Sequence, residues 1–249
     1  MGLLRATISV AFGLATLTAS AIPASTAGAG AGDKGLRPAA ATGGSAGSGS
    51  SVSPCADGKY NFLAPSGTRW RHTLDWSFRA ASVPSGLSTS GVLDVIKRAF
   101  SNVTGARNDC GRADSVSATS RYLGSTSLKP AVTSSGSCGQ PDGHNVVGFA
   151  PLGGYYAGYT CIWWSNGSIV EADMRLDTGT RWALSSSGCS NELMMEALVT
   201  HEVGHAFGLA HVGEGSHGRL TMSVYIDGLC ENQEATLGLG DMRGLEALY

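Results

Sequence analysis

The stretch T-H-E-V-G-H-A-F-G-L-A-H-V-G, Thr200 to Gly213, holds three of the six histidines in the chain. His201 and His205 are four residues apart, so on a helix both side chains leave one face, a turn apart. Two imidazole nitrogens placed that way can reach one ion at roughly 2.0–2.1 Å each. Glu202 sits about 100° further round the helix, beside such an ion without being a ligand to it. Gly208 lets the chain enter positive φ and turn sharply, which brings His211 back as a third ligand. The pattern H-E-x-x-H-x-x-G-x-x-H therefore dictates a helix, its end and the course of the chain beyond it. Ordinary residue usage produces these five fixed residues in about one in ten thousand chains of this size, so unrelated surface histidines are a poor account. Three nitrogens, an open fourth position and a carboxylate alongside suit a Zn2+ ion that activates water while the carboxylate takes the proton.

The remainder of the chain must supply a core and a place to work. Of 249 residues, 42% are hydrophobic and 14% charged, enough for a packed core in one domain. The formal net charge is −2, and no Lys/Arg-rich run suggests a phosphate-backbone footprint, so no nucleic-acid partner is expected. Residues 1–27 read as a signal peptide: Arg5 gives a positive start, an apolar stretch follows, and small-residue cleavage sites lie at Ala19–Ala21 and Ser25–Ala27. An uncleaved anchor is the alternative, but the stretch is short for a bilayer. The mature chain is expected to be secreted, with no membrane span and as a monomer. Cys55, Cys110, Cys138, Cys161, Cys189 and Cys230 make an even set that fits disulfides in an exported protein. Sequence neighbours are expected to pair, Cys138 with Cys161 and Cys189 with Cys230 foremost.

Residues 28–54 are nearly all Gly, Ala and Ser. That composition cannot bury enough surface to fold and reads as a disordered leader or short pro-segment. An inhibitory propeptide is the functional alternative, although the stretch offers no cysteine. The folded domain is expected over residues 55–249. His72–Ala80, Ser115–Leu123, His144–Leu152, Tyr159–Trp164 and Ser168–Asp177 have strand patterning between Gly/Ser/Pro turns. Ser90–Val103 has apolar residues at helical spacing behind a serine cap. A long helix from Ser190 or Asn191 to Leu209 carries the histidines, and a last short helix begins near Asp241. Strands mixed with helices in this order give an α+β domain.

His201, Glu202, His205, Gly208 and His211 resemble the elongated zinc signature of the metzincin metallopeptidases. "LTMSVY" follows, placing Met222 where that family has its Met-turn. The tail "TLGLGDMRGLEALY" is similar to the closing helix of the matrixin branch, and "GFAPLGG" and "IVEADMRLDTGTRW" resemble the strands upstream of its zinc helix. This resemblance implies a zincin-like catalytic domain: a twisted, mostly parallel sheet of about five strands with three helices and the zinc on the central one. It implies His201, His205 and His211 as metal ligands, Glu202 as the catalytic base, and a protein or peptide substrate. Val212 and Val224 depart from the Ser and Pro usual in matrixins, which leaves the specificity pocket undefined. Tyr225 stands one residue beyond the position of the zinc-side tyrosine of astacin-like relatives and is not assigned as a ligand. His72, His144 and His217 are too scattered to form the second, structural zinc site of animal matrixins. Ca2+ near Asp173 or Asp177 is a further metal the resemblance allows. "SCGQPDG" imitates the cysteine-switch peptide of matrixin propeptides, but it lies among the strands, and an even cysteine count favours a disulfide for Cys138.

The reading that follows is a secreted zinc-dependent endopeptidase. Its competitor is a non-catalytic zinc-binding protein on the same fold, which would have no reason to keep Glu202.

Overall fold

The ten-residue strand Ser168–Asp177 is mostly buried, six of its residues fully so, and it organises the domain. The computed structural model describes residues 30–33, 52–154, 156–226 and 228–249; the expected signal peptide lies outside them. The main sheet contains β1 (Gly30–Asp33), β2 (Leu74–Phe78), β3 (Ser120–Ser125), β4 (Val146–Ala150), β5 (Gly158–Ser165) and β6 (Ser168–Asp177) in the spatial order β1-β5-β6-β4-β2-β3. From β6 through β4 and β2 to β3 the pairing is parallel. β5 is antiparallel to β6, joined by the turn Asn166-Gly167, both at positive φ, as a two-residue hairpin requires. The expected mostly parallel sheet of about five strands with three helices is thus present, of α+β class and mixed because β5 runs antiparallel. Its added sixth strand, β1, comes from within the Gly/Ala/Ser-rich stretch.

One face of the sheet packs on helices α1 (Thr89–Thr104) and α2 (Met195–Ala206). Phe78, Ile162, Met174 and Leu176 from the strands meet Ile96, Phe100, Leu198 and Val203 from the helices in one core. α1 buries Val92, Val95, Ile96, Ala99, Phe100 and Val103, the i, i+3, i+4 stripe of an amphipathic helix. Its cap is Ser88, whose hydroxyl accepts from the Gly91 N–H, two residues before the serine expected. Asn102 is buried between the helices and donates to Glu196 and Thr200. In α2 only Glu196 is less than fully buried; a helix enclosed this completely cannot shift without disturbing the whole core.

α2 starts at Met195, later than Ser190 or Asn191. Leu193 and Met194 instead pair in parallel with Trp182 and Ala183, all four buried. Asn191 lies at φ 57°, and the Cys189–Cys230 disulfide holds the approach. Burial and strand pairing here override the local capping preference.

The opposite face of the sheet carries a smaller cluster of Val132, Tyr159, Cys161 and Trp163. The segment holding Val132 and Cys138 covers it, and the Cys138–Cys161 disulfide ties the two layers. Cys138 is therefore a disulfide partner, not a thiolate aimed at the histidines. Cys55–Cys110 completes three bridges between sequence neighbours, with no free thiol among the described residues. Three disulfides suit an oxidising compartment. No helix among the described residues is long and apolar enough to cross a membrane.

Candidate active site

His201 and His205 project from one face of α2, and the end of that helix is unusually well held. Trp70 Nε1 donates to the Ala206 carbonyl at 2.8 Å, and the Tyr249 hydroxyl donates to the Phe207 carbonyl at 3.1 Å. Two carbonyls left over at a helix C-terminus are thereby satisfied. Gly208 follows at φ 97°, a conformation that costs other residues far more. Leu209 and Ala210 then pair antiparallel with Phe62 and Asn61, and Asn61 Nδ2 donates to the His211 carbonyl at 2.8 Å. The turn predicted at Gly208 exists, and a strand fragment from the start of the domain fixes where it leads.

The result is a cluster in which His201, His205 and His211 each offer a nitrogen, all within 4.8 Å of one another. His211 Nε2 lies 3.1 Å from both His201 Nε2 and His205 Nε2. His201 Nδ1 donates to the Thr221 carbonyl at 2.6 Å, and His205 Nδ1 donates to the Leu209 carbonyl at 2.8 Å. Because a carbonyl can only accept, those two rings carry their protons on Nδ1 and turn Nε2 lone pairs toward the cluster. A proton on His211 Nε2 can satisfy one of the lone pairs; a cation satisfies all three nitrogens. Tetrahedral zinc would separate its nitrogen ligands by about 3.3 Å, close to the spacing present. The donor set fits the metal.

Burial keeps these rings neutral, as ligation requires. Loss of solvent pushes His201 down to about 3, aided by His211 and opposed by the Thr221 hydrogen bond. His205 is driven well below its ordinary value, again mainly by burial, and His211 falls to about 4 for the same reason.

Glu202 is buried beside the cluster, its Oε2 accepting from the Thr160 hydroxyl at 2.6 Å. Thr160 comes from β5, the strand alongside α2. Gly158, two residues earlier on β5, leaves the carboxylate its room, since a Cβ there would lie 2.6 Å from Glu202 Oε1.

Met222 follows Thr221, whose carbonyl accepts from His201 Nδ1, and packs on α2. Its sulfur packs against Gly204, where a Cβ would stand only 2.4 Å away. The turn is suspended from Asp241 near the start of α3 (Leu239–Leu248). Its carboxylate accepts from the Thr221, Met222 and Gly238 N–H groups at 3.0, 3.1 and 2.8 Å. Burial raises Asp241 to about 6 against the pull of those hydrogen bonds. Met222 and His201 are thus linked through Thr221 to one buried carboxylate. Gly204→Ala should destabilise the fold by about 1–3 kcal/mol through overpacking on Met222, read as a lower denaturant midpoint. An unchanged midpoint would mean that the methionine swings aside.

Of the other polar residues singled out in the sequence, none joins this cluster. His217 pairs with Asp57 at 2.8 Å. Asp173 accepts from the Ala131 and Val146 N–H groups, and Asp177 from Leu152 N–H and the Thr180 hydroxyl. Thr160 and Gly204 escaped the sequence reading. Nothing in a lone threonine on a strand marks it as the partner of a glutamate 42 residues on. Gly204 did carry a signal, a glycine inside a helix with no turn to make, which usually has a packing reason.

No curated protein gives a significant match to the chain. The model of the matrixin family, Peptidase_M10, matches residues 157–249, the part that runs from β5 through the histidines and Met222 to α3. With the three-histidine cluster, that match shows that this part of the chain is similar to the matrixin family.

Proposed function

We propose that the chain is a secreted zinc-dependent endopeptidase, with His201, His205 and His211 as metal ligands and Glu202 as general base. The observation that carries this reading is the convergence of three imidazoles beside Glu202, which shares α2 with His201 and His205. A metallopeptidase assignment agrees with the matrixin match, and the finer roles rest on the geometry. When bound, zinc supplies Lewis acidity and lowers the pKa of a water molecule. Glu202 takes the proton of the attacking water and later delivers it to the departing amine. Thr160 fixes the carboxylate for both transfers through its 2.6 Å hydrogen bond. The histidines stay neutral throughout, each of the two on α2 locked in orientation by a backbone carbonyl. A substrate chain lies extended along β5 and pairs with it main chain to main chain. The natural occupancy is one catalytic zinc per monomer, with a protein or peptide as the partner.

Hydrolysis of a generic unfolded protein should fall to background when a strong chelator strips the metal, and return on adding about one equivalent of Zn2+. Activity that survives complete metal removal would overturn the proposal.

A further inference from the structure

Three adjacent parallel strands set two arginines on the outer face of the sheet with a glycine between them. Arg79 directly follows β2, Gly148 lies on β4 and Arg175 on β6. Phe78 pairs with Val147, and Gly148 pairs with Arg175, so the three residues stand abreast. Their neighbours Phe78, Val147, Phe149, Met174 and Leu176 belong to the core under the helices, which sends both arginine side chains the other way. The two arginine Cα atoms are two strand spacings apart, about 10 Å. Gly148 lets the Arg79 stem and Pro130 settle between them, since a Cβ there would lie 3.1 Å from Arg79 Cβ and 3.3 Å from Pro130 Cδ. Beside them opens a cavity of about 360 Å³, lined by Arg79, Lys129 and Arg175 together with Pro130, Val132 and Ala150.

Three cations thus share one cavity, and no carboxylate lines it. None of the three has an ion-pair partner among the described residues. Arg79 Nε and Arg175 Nε are both buried without a hydrogen-bond partner. Arg175 gives its outer nitrogens to the Val132 and Pro151 carbonyls, each at 2.6 Å, which orients the guanidinium without neutralising it. Asp173 and Asp177 flank Arg175 on its strand, but their oxygens are engaged by backbone N–H groups and the Thr180 hydroxyl. Burial pulls the Arg175 guanidinium down, with Asp177 opposing. Arginine cannot shed its proton to relieve such a site; an anion can.

We propose that this cavity is an anion site, taking a phosphate-type dianion carried on a small organic group. Guanidinium forks match the edges of a tetrahedral oxyanion through paired hydrogen bonds, and Lys129 adds a point charge. Pro130, Val132 and Ala150 offer the organic part an apolar wall. The cavity lies at the carboxyl ends of parallel strands, where open sheets commonly bind ligands. It sits on the face of the sheet away from α2 and its histidines, so the proposal is independent of the endopeptidase reading.

The test titrates the whole chain with phenyl phosphate and with inorganic phosphate by calorimetry, at constant ionic strength, beside an Arg79→Gln/Lys129→Gln variant. Arg175 is left intact because it holds two carbonyls. Phenyl phosphate should bind with a Kd of about 1 mM or tighter, and more tightly than the inorganic ion. The double variant should lose at least about tenfold in affinity while keeping its denaturant midpoint. Hydrogen exchange at residues 129–132 and 150–152 should slow on adding the ester to the native chain, and not in the variant. If the midpoint falls, Lys129→Gln alone decides, since that side chain is exposed; a several-fold loss of affinity is expected. Inorganic phosphate binding as tightly as the ester would keep the anion site and assign it to the free ion. No binding of either at about 10 mM, or binding that both variants retain in full, would overturn the proposal.

Discussion

Glu202→Gln should lower peptide hydrolysis by about 10²–10⁴-fold, the range typical of a positioned general acid–base group. Glutamine keeps the size of the side chain and can still accept from Thr160, which holds the native carboxylate at 2.6 Å. What it cannot do is take a proton from water at neutral pH. The three nitrogens of the metal cluster belong to other residues, so zinc content and unfolding midpoint should stay near wild type. Metal analysis and kinetics on the same preparation separate the possibilities. Zinc lost in proportion to activity would put Glu202 among the ligands. Full activity in the variant would place the base elsewhere and remove the mechanism.

A larger loss is expected for His205→Ala, with hydrolysis falling to the chelator-treated background. Two nitrogens remain, and a site short of one ligand holds zinc far more weakly. His205 also donates to the Leu209 carbonyl, in the segment that returns His211 to the cluster. Its removal loosens a second ligand along with the first. Dialysed protein should carry almost no zinc, whereas its three disulfides and most of its core remain. A variant that keeps a full equivalent of tightly bound zinc would show that the metal sits elsewhere.

What could be read in the sequence was what depends on short spacings. The helical turn between His201 and His205 and the positive φ at Gly208 are local consequences of a few neighbouring residues, although the course of the chain to His211 is held by Asn61 and Phe62. The α1 stripe was equally legible, because its period is that of the helix. Longer-range facts were not. The start of α2 moved to Met195 because Leu193 and Met194 found partners in Trp182 and Ala183, which no capping preference can anticipate. Thr160 became the partner of Glu202 only because β5 packs beside α2. Asp241 was visible as an acid near a helix start, a common place for one. That it suspends the turn holding Met222 depends on a fold that brings residues 221 and 241 together.

The antiparallel fragment that steers the chain after Gly208 has a consequence for timing. Asn61 and His211 are 150 residues apart, and the strands between them pair largely in parallel across long crossovers. Contacts of such sequence separation form slowly, because the intervening chain must lose its freedom before they can be made. His201 and His205 come into place as soon as one helix forms, whereas His211 waits for nearly the whole domain. A partly folded chain therefore has two of the three clustered histidines in place and lacks the third. On the proposed function, hydrolytic competence would arrive late, after the long crossovers have closed, and an emerging chain would spend its most vulnerable interval unable to cut its neighbours.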